Sequence, residues 1–127
     1  MDRMSRTFIS IETESGMRTD VVYAEKRACT RKGLHVNAIV QPDGAAPIPA
    51  RTVDISTTGV CLLVSNSVAL GAMSLINFEF MMDGQVHPIE AIGEATQSVV
   101  GSDGVRIGFH FKRLSMSSMI AISRYIG

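Results

Sequence analysis

At 127 residues, with 46% apolar and 19% charged side chains, the chain has the size and core-forming content of one domain. Twelve basic residues balance twelve acidic ones, so no global field draws it to nucleic acid or an anionic membrane, and any anion site has to be local. No apolar run is long enough to span a bilayer, and two cysteines, Cys29 and Cys61, cannot form the dense framework of a small secreted domain, so both are expected reduced.

Residues 1–22 read as a polar lead-in, either mobile or docked on the domain, and 23–127 as the domain itself. The lead-in mixes both charge signs and lacks an apolar stretch followed by a small-residue cleavage site, which points to the cytoplasm. At its end, 25–32 carries Lys26, Arg27, Arg31 and Lys32 against the single acid Glu25, the densest cationic stretch in the chain. Extended, Arg27 and Arg31 stand about 13 Å apart; coiled into a turn, about 6 Å. Either spacing suits a two-point grip on a large anion, although charge runs usually face solvent.

From Gly33 the pattern changes to short alternating segments between turn residues, the signature of an all-β sandwich or barrel. Leu34, Val36, Ala38 and Val40 share one face, and 41–47 has loop chemistry. In 48–56, Val53 and Ile55 alternate against Thr52, Asp54 and Ser56, and 57–59 turns the chain into a strand over 60–64. Strands are expected over 73–82, 85–98 and 105–111, with turns at Asp83–Gly84 and 101–104, about six in all. In the last strand Val105, Ile107, Phe109 and Phe111 face the core, and Arg106, Gly108 and His110 face away. Ser115 is placed to cap a terminal helix reaching about Ile126, with Met116, Met119, Ile120, Ser123 and Ile126 or Ile122 as its covering stripe. Met73, Met81, Met82, Met116 and Met119 are expected to fill gaps in the core.

The second chemically loaded segment is Asp54, Ser56 and Gly59. Alternation sends Asp54 and Ser56 to one face about 7 Å apart, with Ile55 anchored in the core between them. Gly59 is free to take a positive φ and lets a flat ligand approach its backbone. On its own this is an ordinary polar strand end with a glycine turn. Arginines four apart, followed by Asp-x-Ser-x-x-Gly at a strand end, resemble the paired signatures Arg-x-x-x-Arg and Asp/Asn-x-Ser-x-x-Gly of the PilZ family, and both match without departure over a resemblance running from Val22 to Ile126.

The resemblance implies an antiparallel β-barrel of about six strands with a C-terminal α-helix, and a receptor for cyclic di-GMP. It implies ligand contacts from Arg27, Arg31, Asp54, Ser56 and Gly59, with Lys26, Lys32 and Arg51 as auxiliary phosphate contacts. The chemistry agrees: an arginine fork meets guanine O6 and N7, a carboxylate accepts from the N1 and N2 donors, and guanidinium also pairs with phosphate. Ordering of the arginine segment over the barrel is the expected output, relayed to a protein partner such as a flagellar, secretion or polysaccharide-synthase component. A PilZ-like adaptor that binds protein and no nucleotide is the alternative, and one ligand or a stacked pair, monomer or homodimer, stay open.

His35, His87, His110 and the cysteines have no metal-ligand spacing, and no nucleophile or carboxylate pair is set for catalysis, so neither metal, cofactor nor enzyme activity is expected. With aromatics at 6%, stacking on single-stranded DNA or RNA is not expected either.

Overall fold

A computed structural model describes residues 30–127. Seven strands and one helix follow in chain order: β1 (Lys32–Gly33), β2 (Asn37–Pro42), β3 (Ile48–Ile55), β4 (Gly59–Val64), β5 (Met73–Met82), β6 (Gln85–Gly101), β7 (Gly104–Leu114) and α1 (Met116–Ile126). Every pairing is antiparallel. The order β3-β2-β5-β6-β7-β4 closes through a β3–β4 pairing into a six-stranded barrel, with β1 a short addition beside β3. The expected barrel with a C-terminal helix is what forms.

The barrel is filled rather than hollow. Val40, Ile55, Val60, Leu62, Ile76, Ile89, Ile107 and Phe109 point inward and are essentially inaccessible to solvent. The β5–β6 hairpin turns on Asp83 (φ 55°) and Gly84 (φ 74°), the two successive positive-φ positions that a two-residue primed turn demands.

Two local irregularities depart from simple alternation. Between Leu34 and Val36 the first long segment breaks, and β1 and β2 run as two pieces along β3. The Thr52 hydroxyl spans the break: it accepts from Val36 N at 2.8 Å and donates to Leu34 O. Opposite it, a β-bulge at Val53 shifts the β3–β4 register, from Thr52↔Leu62 to Asp54↔Cys61. The extra residue leaves both Thr52 and Ile55 buried and turns Asp54 outward. Thr52 therefore belongs to the inner face, not to the outer one that alternation assigns it.

The helix starts where expected. Ser115 caps it, its hydroxyl accepting from Ser118 N at 3.2 Å. Its buried face is Ser118, Ala121 and Ile122, with Tyr125 packed against the core. The Ser118 hydroxyl accepts from Glu90 N at 3.1 Å, fixing the helix on β6. This corrects the expected stripe: Met116, Met119 and Ile120 are exposed, at 72%, 46% and 54%. Met73 and Met81 are exposed too, so of the five methionines expected in the core only Met82 packs against it. At its far end α1 is tied down by Tyr125 Oη donating to Gly33 O (2.6 Å), Lys32 Nζ donating to Tyr125 O (3.0 Å), and an Arg124–Asp83 ion pair (2.8 Å).

Candidate binding cleft

The site is built by register. On the outer wall, cross-strand partners place Asp54, Cys61, Gly108 and Gln97 in one row across β3, β4, β7 and β6. The next row is Arg51, Leu63, Arg106 and Val99; on the other side lie Gly59, His110 and Glu94. Neighbouring strands stand about 4.8 Å apart, so Asp54 and Gln97 are about 14 Å apart along the curved wall. The residues between them are a cysteine and a glycine. Small floor residues between longer flanks turn a convex wall into a trough, and a cleft of about 400 Å³ opens there. That volume falls in the range of small-molecule sites. Arg31 and Asp54 line one side, Thr96, Gln97, Val99 and Arg106 the other, and Gly59, Cys61 and Gly108 lie between.

Arg31 donates from Nε to Asp54 Oδ1 at 2.8 Å, and its Nη2 lies 2.7 Å from the same oxygen. Both side chains remain partly exposed, at 45% and 33%. Exposed pairs contribute about 0–1 kcal/mol, so either partner is released for another at small cost. Both contacts fall on Oδ1, and the Asp54 side chain lines the cleft.

Ser56 and Gly59 work differently from their sequence reading. Ser56 is fully buried, so it does not share the outer face with Asp54. Its hydroxyl accepts from Thr58 N and Gly59 N, both at 3.1 Å, while its backbone N donates to Gly59 O at 2.9 Å. It braces the turn that carries the chain from β3 to β4. Gly59 does not have a positive φ; the residue must be small because a Cβ there would lie 2.3 Å from Phe109 O. Ser56 braces the turn from beneath, Gly59 lies in the floor of the cleft, and Asp54 is the one of the three whose side chain lines it.

Among the auxiliary residues, Lys32 points at the end of α1, 4.4 Å from the centre of the Tyr125 ring. Arg51 shares the outer wall but donates to Asn37 Oδ1 at 3.0 Å. Neither lines the cleft. Arg27 and Lys26 lie outside the described residues.

Missed in the sequence were Cys61, Thr96, Gln97, Val99, Arg106 and His110. Outward alternation in β7 singled out Arg106, Gly108 and His110, but only cross-strand register brings them against Asp54. Burial pushes the Cys61 thiol above its ordinary range, and the neighbouring Asp54 carboxylate adds to this against the opposing pull of Arg31 and Arg106. Among the described residues no cluster of three or more His, Cys, Asp or Glu is set to hold a metal, and no helix is long and apolar enough to cross a membrane.

The sequence model of the PilZ domain family matches residues 25–127. No curated protein matches the chain significantly. Among solved structures, the Bacillus subtilis inhibitor of motility MotI/DgrA superposes with a TM-score of 0.69 at 14% identity, over 77% of this chain and 48% of that one. YcgR from Escherichia coli in complex with c-di-GMP gives 0.62 at 15%, over 80% and 44%. The PilZ domain of YcgR with c-di-GMP gives 0.58 at 15%, over 80% and 88%. The chain thus spans about half the length of the first two, and at these identities the likeness is one of fold.

Proposed function

The chain belongs to the PilZ domain family, and on that premise we propose that it is a receptor for cyclic di-GMP whose ligand seats in the cleft between Asp54 and β7. The observation that carries this reading is the Arg31–Asp54 pair standing over a floor of small residues. Cyclic di-GMP offers guanine N1 and N2 donors that a carboxylate accepts, and phosphates that a guanidinium meets. Arg31 exchanges Asp54 for phosphate, assisted by Arg27, while Asp54 reads the base. Ser56 and Gly59 contribute by holding the turn and leaving room. That YcgR, a neighbour in fold, is solved in complex with c-di-GMP supports the choice of ligand.

The output runs through the segment that Arg31 begins. The next two residues are fastened to the end of α1 through Lys32 and Gly33, so a ligand that repositions Arg31 pulls on Tyr125. A protein partner in motility, secretion or polysaccharide synthesis then reads the altered surface. The alternative, an adaptor that binds protein and no nucleotide, draws on the exposed Met116, Met119 and Ile120 of α1. Calorimetric titration with cyclic di-GMP separates the two. Saturable binding that weakens about tenfold or more in both Arg31→Ala and Asp54→Ala supports the receptor; no heat up to high micromolar ligand leaves the adaptor.

A further inference from the structure

The receptor reading gives Asp54 and Arg31 one purine and the phosphates, and assigns no described residue to the second purine. The opposite wall of the cleft has the chemistry for it. Arg106 projects outward from β7 between Leu63 on β4 and Val99 on β6. Its Nη1 donates to Oδ1 and its Nη2 to Oδ2 of Asp103, in the hairpin that precedes it, both at 3.3 Å. These contacts are long beside the 2.7–2.9 Å usual for a charge-assisted bond, and both side chains are about half exposed. Such a pair holds the fork in place yet gives it up readily. Beside it, Val99 is 53% exposed although it lies on the cleft wall, an apolar surface set next to a cation.

We propose that Arg106 and Val99 form a second purine subsite, in which the Arg106 fork reads O6 and N7 of the distal guanine while Val99 and the bare backbone of Gly108 support its face. This rests on the receptor reading. It extends that reading by assigning specificity for the second base to a residue outside both sequence motifs. The direction of recognition follows from chemistry: guanine presents two adjacent acceptors to a fork of donors, whereas adenine presents a donor at N6 where guanine has O6. Arg106 therefore distinguishes guanine from adenine at the distal position, and Asp54 does so at the proximal one. Arg106 stands two strands from Asp54, about 10 Å across the wall and one row further along it, which leaves the two readers at different ends of one dinucleotide.

The test compares cyclic di-GMP, 3′,3′-cyclic GMP-AMP and cyclic di-AMP by calorimetry on the full chain and its variants. The mixed dinucleotide can offer its guanine to Asp54, and so isolates the distal subsite. The wild-type chain is expected to prefer cyclic di-GMP over the mixed ligand by about tenfold or more. Arg106→Ala and Arg106→Lys should bring that ratio near unity while still rejecting cyclic di-AMP. The lysine variant retains the charge but loses the fork, and unchanged melting temperatures certify both folds. If cyclic di-GMP binds and the variants keep the wild-type ratio, the subsite is overturned and the receptor reading stands. A uniform weakening of all ligands with the ratio kept makes Arg106 a charge only, and also overturns base reading. If the wild-type chain binds no cyclic di-GMP, both readings fall together.

Discussion

Ser56→Ala separates a ligand contact from a structural brace, and its size follows from the geometry. The hydroxyl is fully buried and accepts from two backbone N–H groups, those of Thr58 and Gly59. Thr58 is exposed, so water replaces its lost acceptor at little cost. Gly59 is buried against Phe109, where water does not reach, and its orphaned N–H costs about 1–3 kcal/mol. A central value of about 2 kcal/mol lowers the melting temperature of a domain of this size by roughly 8–16 °C. Thermal unfolding followed by circular dichroism, with cyclic di-GMP affinity measured well below the midpoint, reads both consequences. The brace requires a large drop in melting temperature, with affinity reduced only as far as the turn loosens. A variant that melts within about 2 °C of the wild type while losing its affinity would refute the argument, because Ser56 would then be spending its hydroxyl on the ligand.

Gly59→Ala should destabilise by about 1–3 kcal/mol in a denaturant titration, because its Cβ meets the Phe109 carbonyl carbon-to-oxygen at 2.3 Å and the β4–β7 pair must shift; an unchanged midpoint contradicts this close approach. Gly108→Ala, by contrast, meets only ordinary contacts, the nearest being Gln97 Cβ at 3.5 Å. It should fold as the wild type does and bind cyclic di-GMP severalfold more weakly, since the methyl group stands in the floor of the cleft; equal affinity would remove that floor from the binding surface. Because the Cys61 thiol is held above its ordinary range, its alkylation, followed by mass spectrometry of its own peptide, should rise only at higher pH than for a free thiol. Asp54→Asn removes the carboxylate that adds to this shift, so its alkylation profile should move to lower pH; a profile that moves up or stays put contradicts the assignment.

Much of the barrel was legible because burial repeats every second residue. Val105, Ile107 and Phe109 alternate cleanly, and the structure buries all three. Turn chemistry was equally plain at Asp83–Gly84, and the helix cap at Ser115 follows from a side chain that can reach Ser118 N. What escaped were features that depend on a partner strand. Nothing in the residues around Val53 marks a bulge, yet this one extra residue sends Thr52 inward and aims Asp54 at the cleft. The helix face was assigned only in part, through Ile122 and Ile126, for a related reason. Met116, Met119 and Ile120 are the more apolar choice, but the Ser118 hydroxyl on Glu90 N and the burial of Ile122 fix the rotation of α1. For the site, the motif spacing located Asp54, Ser56 and Gly59 in sequence, whereas the division between a chemical group and a turn brace required knowing which of them is buried.

Closing the sheet also decides where a ligand can go. A six-stranded barrel packed with Ile55, Leu62, Ile76 and Ile107 has no interior to offer, so recognition has to occur on its outer wall. That wall is convex, and a convex surface grips a planar molecule poorly. The chain overcomes this with composition: Gly59, Cys61 and Gly108 stand low on β4 and β7, while Asp54, Gln97 and Arg106 rise around them. Gly59 is doubly constrained, since the same missing Cβ that lowers the floor lets β4 close against β7. A substitution there damages barrel and cleft together, whereas one at Gly108 touches the cleft alone. The cleft is thus tied to the stability of the barrel at the β3–β4 turn and free of it at the centre of β7, where Gly108 has room for a methyl group.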